Sequence, residues 1–296
     1  MDEREWLAQR FQEHRPRLRA VAYRMLGSTS EADDALQEAW IRLNRSNARE
    51  IDNLQAWLLS VVGRVALNML RSRKRRRGEQ PLEAHLPDPI VDRPEGIDPE
   101  HEALLADSVG LALLVVLETL PPAQRLAYVL HDMFSVPFEE IGVILERSPE
   151  AARQLASRAR RRIRAANTTP HDPDAPAPQE VVEAFLAAAR DGEFDALVAV
   201  LDPDIVERVD TGSGTIVEVR GTENVARRAL AAASQLGLVG RVALINGAPG
   251  WVSMLDGELF AIGALTVHNG RITRMDILLD PARLTRLDLT VFDPRL

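Results

Sequence analysis

The 296-residue chain contains no cysteine, which excludes a disulfide framework, a thiolate metal site and a thiol redox switch. Aromatic residues make up 4% of it, so its cores must be built from Leu, Val, Ile and Ala. Lysine is nearly absent: Lys74 stands alone among 36 basic side chains, and the rest are arginines. No apolar run approaches the ~20 residues that a membrane-spanning helix needs. The opening MDEREWLAQRF is charged from its second residue and does not read as a secretory signal. Together these absences point to the cytoplasm. What is present is 46% hydrophobic residues, enough for packed cores, in a length that allows two or three domains.

The net charge of −8 conceals an alternation along the chain. Residues 1–80 carry +5, residues 81–120 carry −8, residues 121–170 carry +3 and residues 171–296 carry −8. The two basic blocks are the candidate nucleic-acid surfaces.

In the second basic block, Phe138, Ile141, Ile144 and Leu145 recur at helical spacing. Ser148-Pro149-Glu150 then restarts the chain with an N-cap hydroxyl, a proline at the first helical position and an acid in the first turn. The new helix should bury Ala152, Leu155, Ala159 and Ile163 and turn outward Arg153, Gln154, Ser157, Arg158, Arg160, Arg161, Arg162 and Arg164. This is the build of a helix-turn-helix whose second helix enters a DNA major groove. Read as an isolated motif, it is equally an arginine-rich solvated face on an ordinary helical hairpin.

The first basic block reads as three helices. The first spans about Glu5 to Leu26 and ends at Gly27. The second is opened by Ser30-Glu31-Ala32-Asp33 as a capping box and buries Ala35, Leu36, Ala39, Trp40 and Leu43. The third spans about Asn53 to Arg76, buries Trp57, Leu58, Val61, Val62, Val65 and Leu70, and ends in RSRKRRR. Residues 79–100 hold five prolines and six acids after Glu79, a composition that cannot build a core and reads as a linker. A second proline-rich break, TTPHDPDAPAPQ, covers 168–179. Beyond it, helices near 180–190, 194–201 and 222–235 mix with strands near 205–209, 215–220, 241–245, 251–255, 258–267 and 271–279. The last two strands are joined through Asn269-Gly270, a strong hairpin signal. This predicts a separate α+β domain with a strongly antiparallel sheet.

Taken together, residues 5–166 resemble the extracytoplasmic-function (ECF) sigma factors of bacterial RNA polymerase. The string Asp33-Asp34-Ala35-Leu36-Gln37-Glu38-Ala39-Trp40 resembles their region 2 clamp-binding helix, and Trp57-Leu58 leading to the basic tail resembles the helix that follows. Leu120-Pro121, Glu139-Glu140-Ile141-Gly142 and the arginine helix resemble region 4. The resemblance implies that Asp33, Asp34, Gln37 and Glu38 bind core polymerase, although helix-start electrostatics would also favour acids there. It further implies that Arg64, Asn68, Arg71, Arg73, Lys74 and Arg75 engage the −10 element, and that Arg153, Gln154, Ser157, Arg158 and Arg161 engage the −35 duplex. Arginine to guanine would specify bases, whereas contacts to phosphate only position the protein. In this family the segment joining the two regions passes along the polymerase channel that later carries RNA.

Residues 185–210, 219–230 and 246–284 resemble a SnoaL-like domain of the nuclear-transport-factor-like cone fold, as carried by SigJ-type sigma factors. His85-Leu86-Pro87-Asp88-Pro89 partly matches that type's Pro-rich linker motif. Asp210-Thr211-Gly212-Ser213-Gly214 and Asp280-Pro281-Ala282-Arg283-Leu284 depart from its other two motifs. The expected plan is thus two all-α sigma domains followed by an α+β SnoaL-like cone: region 2 over 1–78, a linker over 79–105, region 4 over 106–167, a second linker over 168–178 and a regulatory domain over 179–296. Asp210, Gly212, Gly214, Asp280 and Pro281 are its regulatory candidates, acting through contacts within the chain. No metal, cofactor or catalytic residue is expected, and the cone is a candidate pocket for a small apolar ligand. Two other readings stand beside this one. A SnoaL-like enzyme with a DNA-targeting module would need an acid–base pair from Asp210, Glu218, Asp256, Asp276 and His268, with Asp276 on a strand and able to point into the cone. A helix-turn-helix repressor would need neither the acidic clamp helix nor the basic tail.

Overall fold

The computed structural model describes residues 3–46, 51, 53–77, 85–94, 96, 110–165, 175–236 and 238–287. The chain divides into two compact units. One comprises Met1–Pro81, Pro99–Asp107 and Leu114–Thr168; the other comprises Leu82–Asp98, Ser108–Leu113 and Thr169–Leu296.

The first unit is helical. Helix α1 (Glu3–Leu26) stops at Gly27, whose φ of 72° is the left-handed conformation of a helix C-cap. Helix α2 (Thr29–Arg45) begins two residues earlier than the capping-box reading of Ser30 placed it. Ser28 is the N-cap, and its hydroxyl accepts from the Glu31 amide. Three adjacent candidate hydroxyls, Ser28, Thr29 and Ser30, made the box ambiguous in sequence, and the stop at Gly27 selects the first. Ala32, Ala35, Leu36, Ala39 and Leu43 are buried, while Trp40 is half-buried with its ring 5.2 Å from that of Phe11. Helix α3 (Leu54–Arg77) buries Leu58, Val62, Val65 and Leu70. Helix α4 (Gly110–Glu118) belongs to this unit from Leu114 on, and α5 (Pro122–Tyr128) continues into a π-helical turn over Val129–Met133.

The helix-turn-helix follows. Helix α6 (Phe138–Leu145) ends at Glu146 in the left-handed region, and the Ser148 hydroxyl accepts from Ala151 to start α7 (Pro149–Ala165). Gly142 allows the turn to close: a Cβ there would stand 2.8 Å from the Arg147 carbonyl oxygen. Helix α7 buries Ala152, Ala156, Ala159 and Ile163. Ala156 takes the place predicted for Leu155, which is half-buried.

The second unit carries α8 (Pro178–Asp191), α9 (Phe194–Val200), β2 (Leu201–Asp210), β3 (Ile216–Arg220), α10 (Thr222–Leu236), β4 (Val239–Ile245), β5 (Ala248–Leu255), β6 (Glu258–His268), β7 (Arg271–Leu278) and α11 (Pro281–Leu284). The three β4-to-β7 hairpins turn on Asn246-Gly247, Asp256-Gly257 and Asn269-Gly270, every one of these residues at positive φ. The sheet is strongly antiparallel, as expected, with two additions. Strands β2 and β7 pair in parallel, and a seventh strand, β1 (Val91–Asp92), pairs with β4. Its order is β1-β4-β5-β6-β7-β2-β3. Val181, Val182 and Phe185 of α8, Leu197 of α9, and Val225 and Ala226 of α10 cover one face. There they pack with Ile205, Trp251, Ala261, Leu265 and Met275.

Strand β1 lies in the segment read as a linker. Residues 85–92 are held on the second unit with Leu86, Pro87, Pro89, Ile90, Val91 and Asp92 buried. Their composition gives them no core of their own, and they pack on one that the sheet supplies. The remaining residues of both predicted linkers, apart from 93, 94, 96 and 175–178, lie outside the described residues.

Candidate nucleic-acid interface and a clasp in the second unit

The residues proposed for the −35 duplex form one surface. At 100° per residue, Arg153, Gln154, Ser157, Arg158 and Arg161 span an arc of about 140° on α7, opposite the buried alanines, and all five are exposed. Arg153 is pre-positioned over the Phe138 ring at 5.2 Å, and His131 stacks on that ring at 3.8 Å between centroids. Arg160 lies apart, its Nε donating to Asp132 of the π-helical turn at 2.6 Å. At the head of α7, hydrogen bonds from the backbone and Ser148 lower the Glu150 pKa.

On α3, Arg64 and Asn68 are exposed one turn apart, with Arg71 and Arg75 exposed further along. Within the same unit the Arg64 guanidinium donates to the Val143 carbonyl of α6 at 3.1 Å, and Gly63 lies beneath Leu126, Leu130 and Ile144. Arg73 is turned inward: it pairs with Glu31 and donates to the Leu26 carbonyl at 3.0 Å, closing the end of α1. The Lys74 side chain lies outside the described residues. On α2, Asp34 and Gln37 are exposed. Asp33 is gripped by Arg19 at 2.9 and 3.1 Å, and Glu38 pairs with Arg42 at 2.9 Å.

One residue that sequence reasoning missed, Arg125, is buried in this unit and donates to the Arg24 carbonyl at 3.0 Å. Burial pushes its pKa down to about 10, with Glu118 opposing the shift and Arg73 adding to it. No local pattern marks Arg125 as buried, because its acceptor lies 101 residues away.

In the second unit the structure brings Asp210, Gly212 and Asp280 together around Arg283. The Asp210 carboxylate is fully buried. Its Oδ2 accepts from the Leu86 amide and from Arg283 Nη1, both at 2.8 Å, and its Oδ1 accepts from the Gly212 amide at 3.0 Å. Arg283 Nη2 donates to the Leu86 carbonyl and to Asp88 Oδ1, both at 2.7 Å, and His85 Nδ1 stands 3.5 Å from Asp210 Oδ1. Asp280 caps α11, with Pro281 at its first position. A Cβ on Gly212 would lie 2.6 Å from the Asp280 Cγ. Gly214 shares this loop at a φ of 80°. A second bracket follows: Ile90 donates to Asn246 Oδ1 at 3.2 Å, and the Asn246 amide returns a bond to the Ile90 carbonyl at 2.8 Å.

The five acid–base candidates do not converge. Met275 enters the helix-covered face, so Asp276 points to the opposite one, where Arg208 binds it at 2.7 Å and Arg274 stands at 3.5 Å. Glu218, paired with Arg208 in register, and Asp210 share that outer side. Asp256 sits in a hairpin turn and His268 ends β6. The acid on the inner side is Glu207, which the sequence reading passed over. It is buried, bonded to Arg228 at 3.1 Å, and raised in pKa by burial against the opposing pull of that arginine. Among the described residues no group of three or more His, Asp or Glu could hold a metal ion, and no helix is long and apolar enough to cross a membrane.

Comparison with known proteins gives the family. The sigma-70 region 2 family matches residues 10–76, and the sigma-70 region 4 family matches residues 110–163. The ECF RNA polymerase sigma factor SigJ of Mycobacterium tuberculosis is 37% identical over 93% of this chain and 92% of its own length. The chain belongs to the ECF RNA polymerase sigma factors. A probable ECF sigma factor, SigI, from the same organism is 34% identical over 93% of each chain. The crystal structure of SigJ superposes with a TM-score of 0.76, at 33% identity, covering 96% of this chain and all of the other. This sigma factor therefore binds core RNA polymerase and directs promoter-specific transcription initiation, and the repressor and enzyme readings give way.

Proposed function

We propose that α7 of this sigma factor reads the −35 duplex through Arg153, Gln154, Ser157, Arg158 and Arg161, and that α3 presents Arg64 and Asn68 to the −10 element. Asp34 and Gln37 are the exposed clamp-binding side chains, with Asp33 and Glu38 beside them. Arg71 and Arg75, with Lys74, supply phosphate contacts, and Arg73 supports the helix that carries them. Working on core polymerase places the protein in the cytoplasm.

We infer further that the second unit regulates initiation in cis by holding the linker. The observation that carries this reading is the Arg283–Asp210 clasp on Leu86 and Asp88. A linker docked by eight residues on a sheet is not free to follow the polymerase channel, so the clasp restrains initiation. Run-off transcription with bacterial core polymerase tests both parts. Full-length protein should give promoter-specific transcripts, and Asp210→Asn should raise their yield. Equal yields from the two proteins would reject the restraint, and loss of transcripts on Arg158→Ala would support the −35 assignment.

A further inference from the structure

Helix α7 is held along one edge of its reading face. Arg153 forms that edge, and Arg160, two turns further on, lies about 20° beyond it. Both are tied to the π-helical turn over Val129–Met133. Arg160 Nε donates to Asp132 at 2.6 Å, and the Arg153 guanidinium lies over the Phe138 ring, with Cζ 5.2 Å from the centroid. His131, the neighbour of Asp132 in the turn, stacks on the same ring at 3.8 Å between centroids and 28° between planes. His131 is itself fixed. Its Nδ1 donates to the Val136 carbonyl at 3.1 Å. Ser135, at a φ of 56°, turns the chain so that the Val136 amide bonds the Leu130 carbonyl at 2.9 Å. The imidazole fills one face of the Phe138 ring, which leaves the other to the guanidinium.

The two arginines are held in different ways. The ion pair with Asp132 spends donors of Arg160. Stacking spends none, because a planar guanidinium on an aromatic face keeps all five N–H groups in its own plane. Among the described residues Arg153 makes no hydrogen bond or ion pair, and it alone of the α7 arginines lies over a ring. Free in-plane donors in a fixed direction are what a bidentate contact to guanine O6 and N7 requires. We propose that Phe138, backed by His131, is a positioning residue of promoter recognition. The stack holds Arg153 where it addresses one base pair of the −35 element instead of a neighbouring phosphate. Phe138 is buried and touches no DNA, yet it sets base preference at that pair. This inference rests on the −35 assignment of α7 and names what gives one of its side chains its specificity.

The test pairs the full-length protein with core polymerase on templates randomised across the −35 element, and reads transcript yield for each base at each position. Arg153→Ala should flatten the preference at one base pair, which identifies the pair that Arg153 reads. Phe138→Leu keeps an apolar side chain and removes the ring. It should cut the preference at that same pair by about two- to fivefold, the worth of one exposed cation–π contact, and leave the other positions unchanged. Phe138→Tyr should retain the preference, and Phe138→Leu should change it no further in the Arg153→Ala background. An unchanged preference in Phe138→Leu would overturn the proposal. So would a loss spread evenly over the −35 positions, which is what a purely structural role gives. If Arg153→Ala flattens no position, the −35 assignment fails at Arg153 and the proposal falls with it, an outcome distinct from the other two. Should Phe138→Leu fail to fold, the wild type decides by nuclear magnetic relaxation. The Arg153 Nε–H should be more ordered than those of Arg158 and Arg161, and equal order would reject the stack.

Discussion

Replacing Asp210 by Asn is the sharpest perturbation of the clasp, because it keeps the shape and removes the charge. The carboxylate accepts three N–H donors, from Leu86, Gly212 and Arg283, in a fully buried position. Asparagine retains one acceptor oxygen and sets an NH2 against at least one of those donors. Hydrogen bonds to a charged group contribute about 1.5–3 kcal/mol, and breaking a buried ion pair from one side costs about 3–5 kcal/mol. A loss of about 3 kcal/mol from the docked linker corresponds to roughly two decades in its docking equilibrium. Native-state hydrogen exchange reads this at the two amides that anchor the segment, Leu86 and Ile90. Leu86 should lose about two decades of protection, and Ile90 should follow if residues 85–92 undock as one piece. The amides of β5 and β6 should be unchanged. Protection at Leu86 within threefold of wild type would refute the clasp, and an equal loss throughout the sheet would show that Asp210 serves the fold rather than the linker. Arg283→Met should produce the same local release, and the double variant should lose less than the two single losses added together, because both act on one pair.

Gly142→Ala forces a Cβ to within 2.8 Å of the Arg147 carbonyl oxygen, so it should cost about 1–3 kcal/mol in thermal unfolding and weaken −35 duplex binding; an unchanged melting temperature would count against the turn geometry. Arg158→Ala should weaken binding to a −35 duplex by about tenfold and lower the slope of affinity against salt by about one counterion if the side chain reaches phosphate. Glu207→Gln tests the inner-face acid. Its pKa is raised in the folded chain, so between the ordinary carboxylate value and the raised one the folded state holds the proton that the unfolded state has lost. Its contribution to stability therefore falls as pH rises through that window. The variant should flatten this segment of the stability–pH curve measured by urea unfolding, and a curve identical to wild type would be evidence against the desolvation argument.

The parts of the molecule that were legible in sequence are those whose causes are local. Ser148-Pro149-Glu150 starts α7 with a cap contained in three residues, and Asn269-Gly270 turns a hairpin with the two residue types that accept positive φ most readily. The inward-facing stripe of α2 and the outward arginines of α7 follow from helical period alone. The direction of Asp276 is different in kind. A strand has two faces, and alternation says that Met275 and Ile277 oppose Asp276 without saying which side the helices cover. Glu207 was hidden for the complementary reason: it shares a face with Ile205 and is tolerated there because Arg228 arrives from α10. Leu86, with its partners 124 and 197 residues away, is invisible to any local rule.

The linker shows why that invisibility matters for regulation. Its acidic, proline-rich composition excludes an independent core, and that inference holds. Three apolar side chains, Leu86, Ile90 and Val91, are nevertheless buried on a sheet that lends them a face. At about 2 kcal/mol each they contribute about 6 kcal/mol, and the charge-assisted hydrogen bonds of Asp210 to Leu86 and of Arg283 to Asp88 add about 1.5–3 kcal/mol each. Ordering eight residues costs about 8–16 kcal/mol. The favourable terms exceed the lower end of that cost by a few kcal/mol, so the segment is docked by a margin about as large as the loss of the Asp210 charge would remove. A segment in that position can be released by losing one buried carboxylate or by offering the linker a better path. A self-sufficient domain at the same place would hold too firmly to be moved, and a wholly polar tether would never dock. An acidic stretch with three apolar residues and one borrowed arginine lies between those limits, and this is the property that a cis-acting restraint on initiation requires.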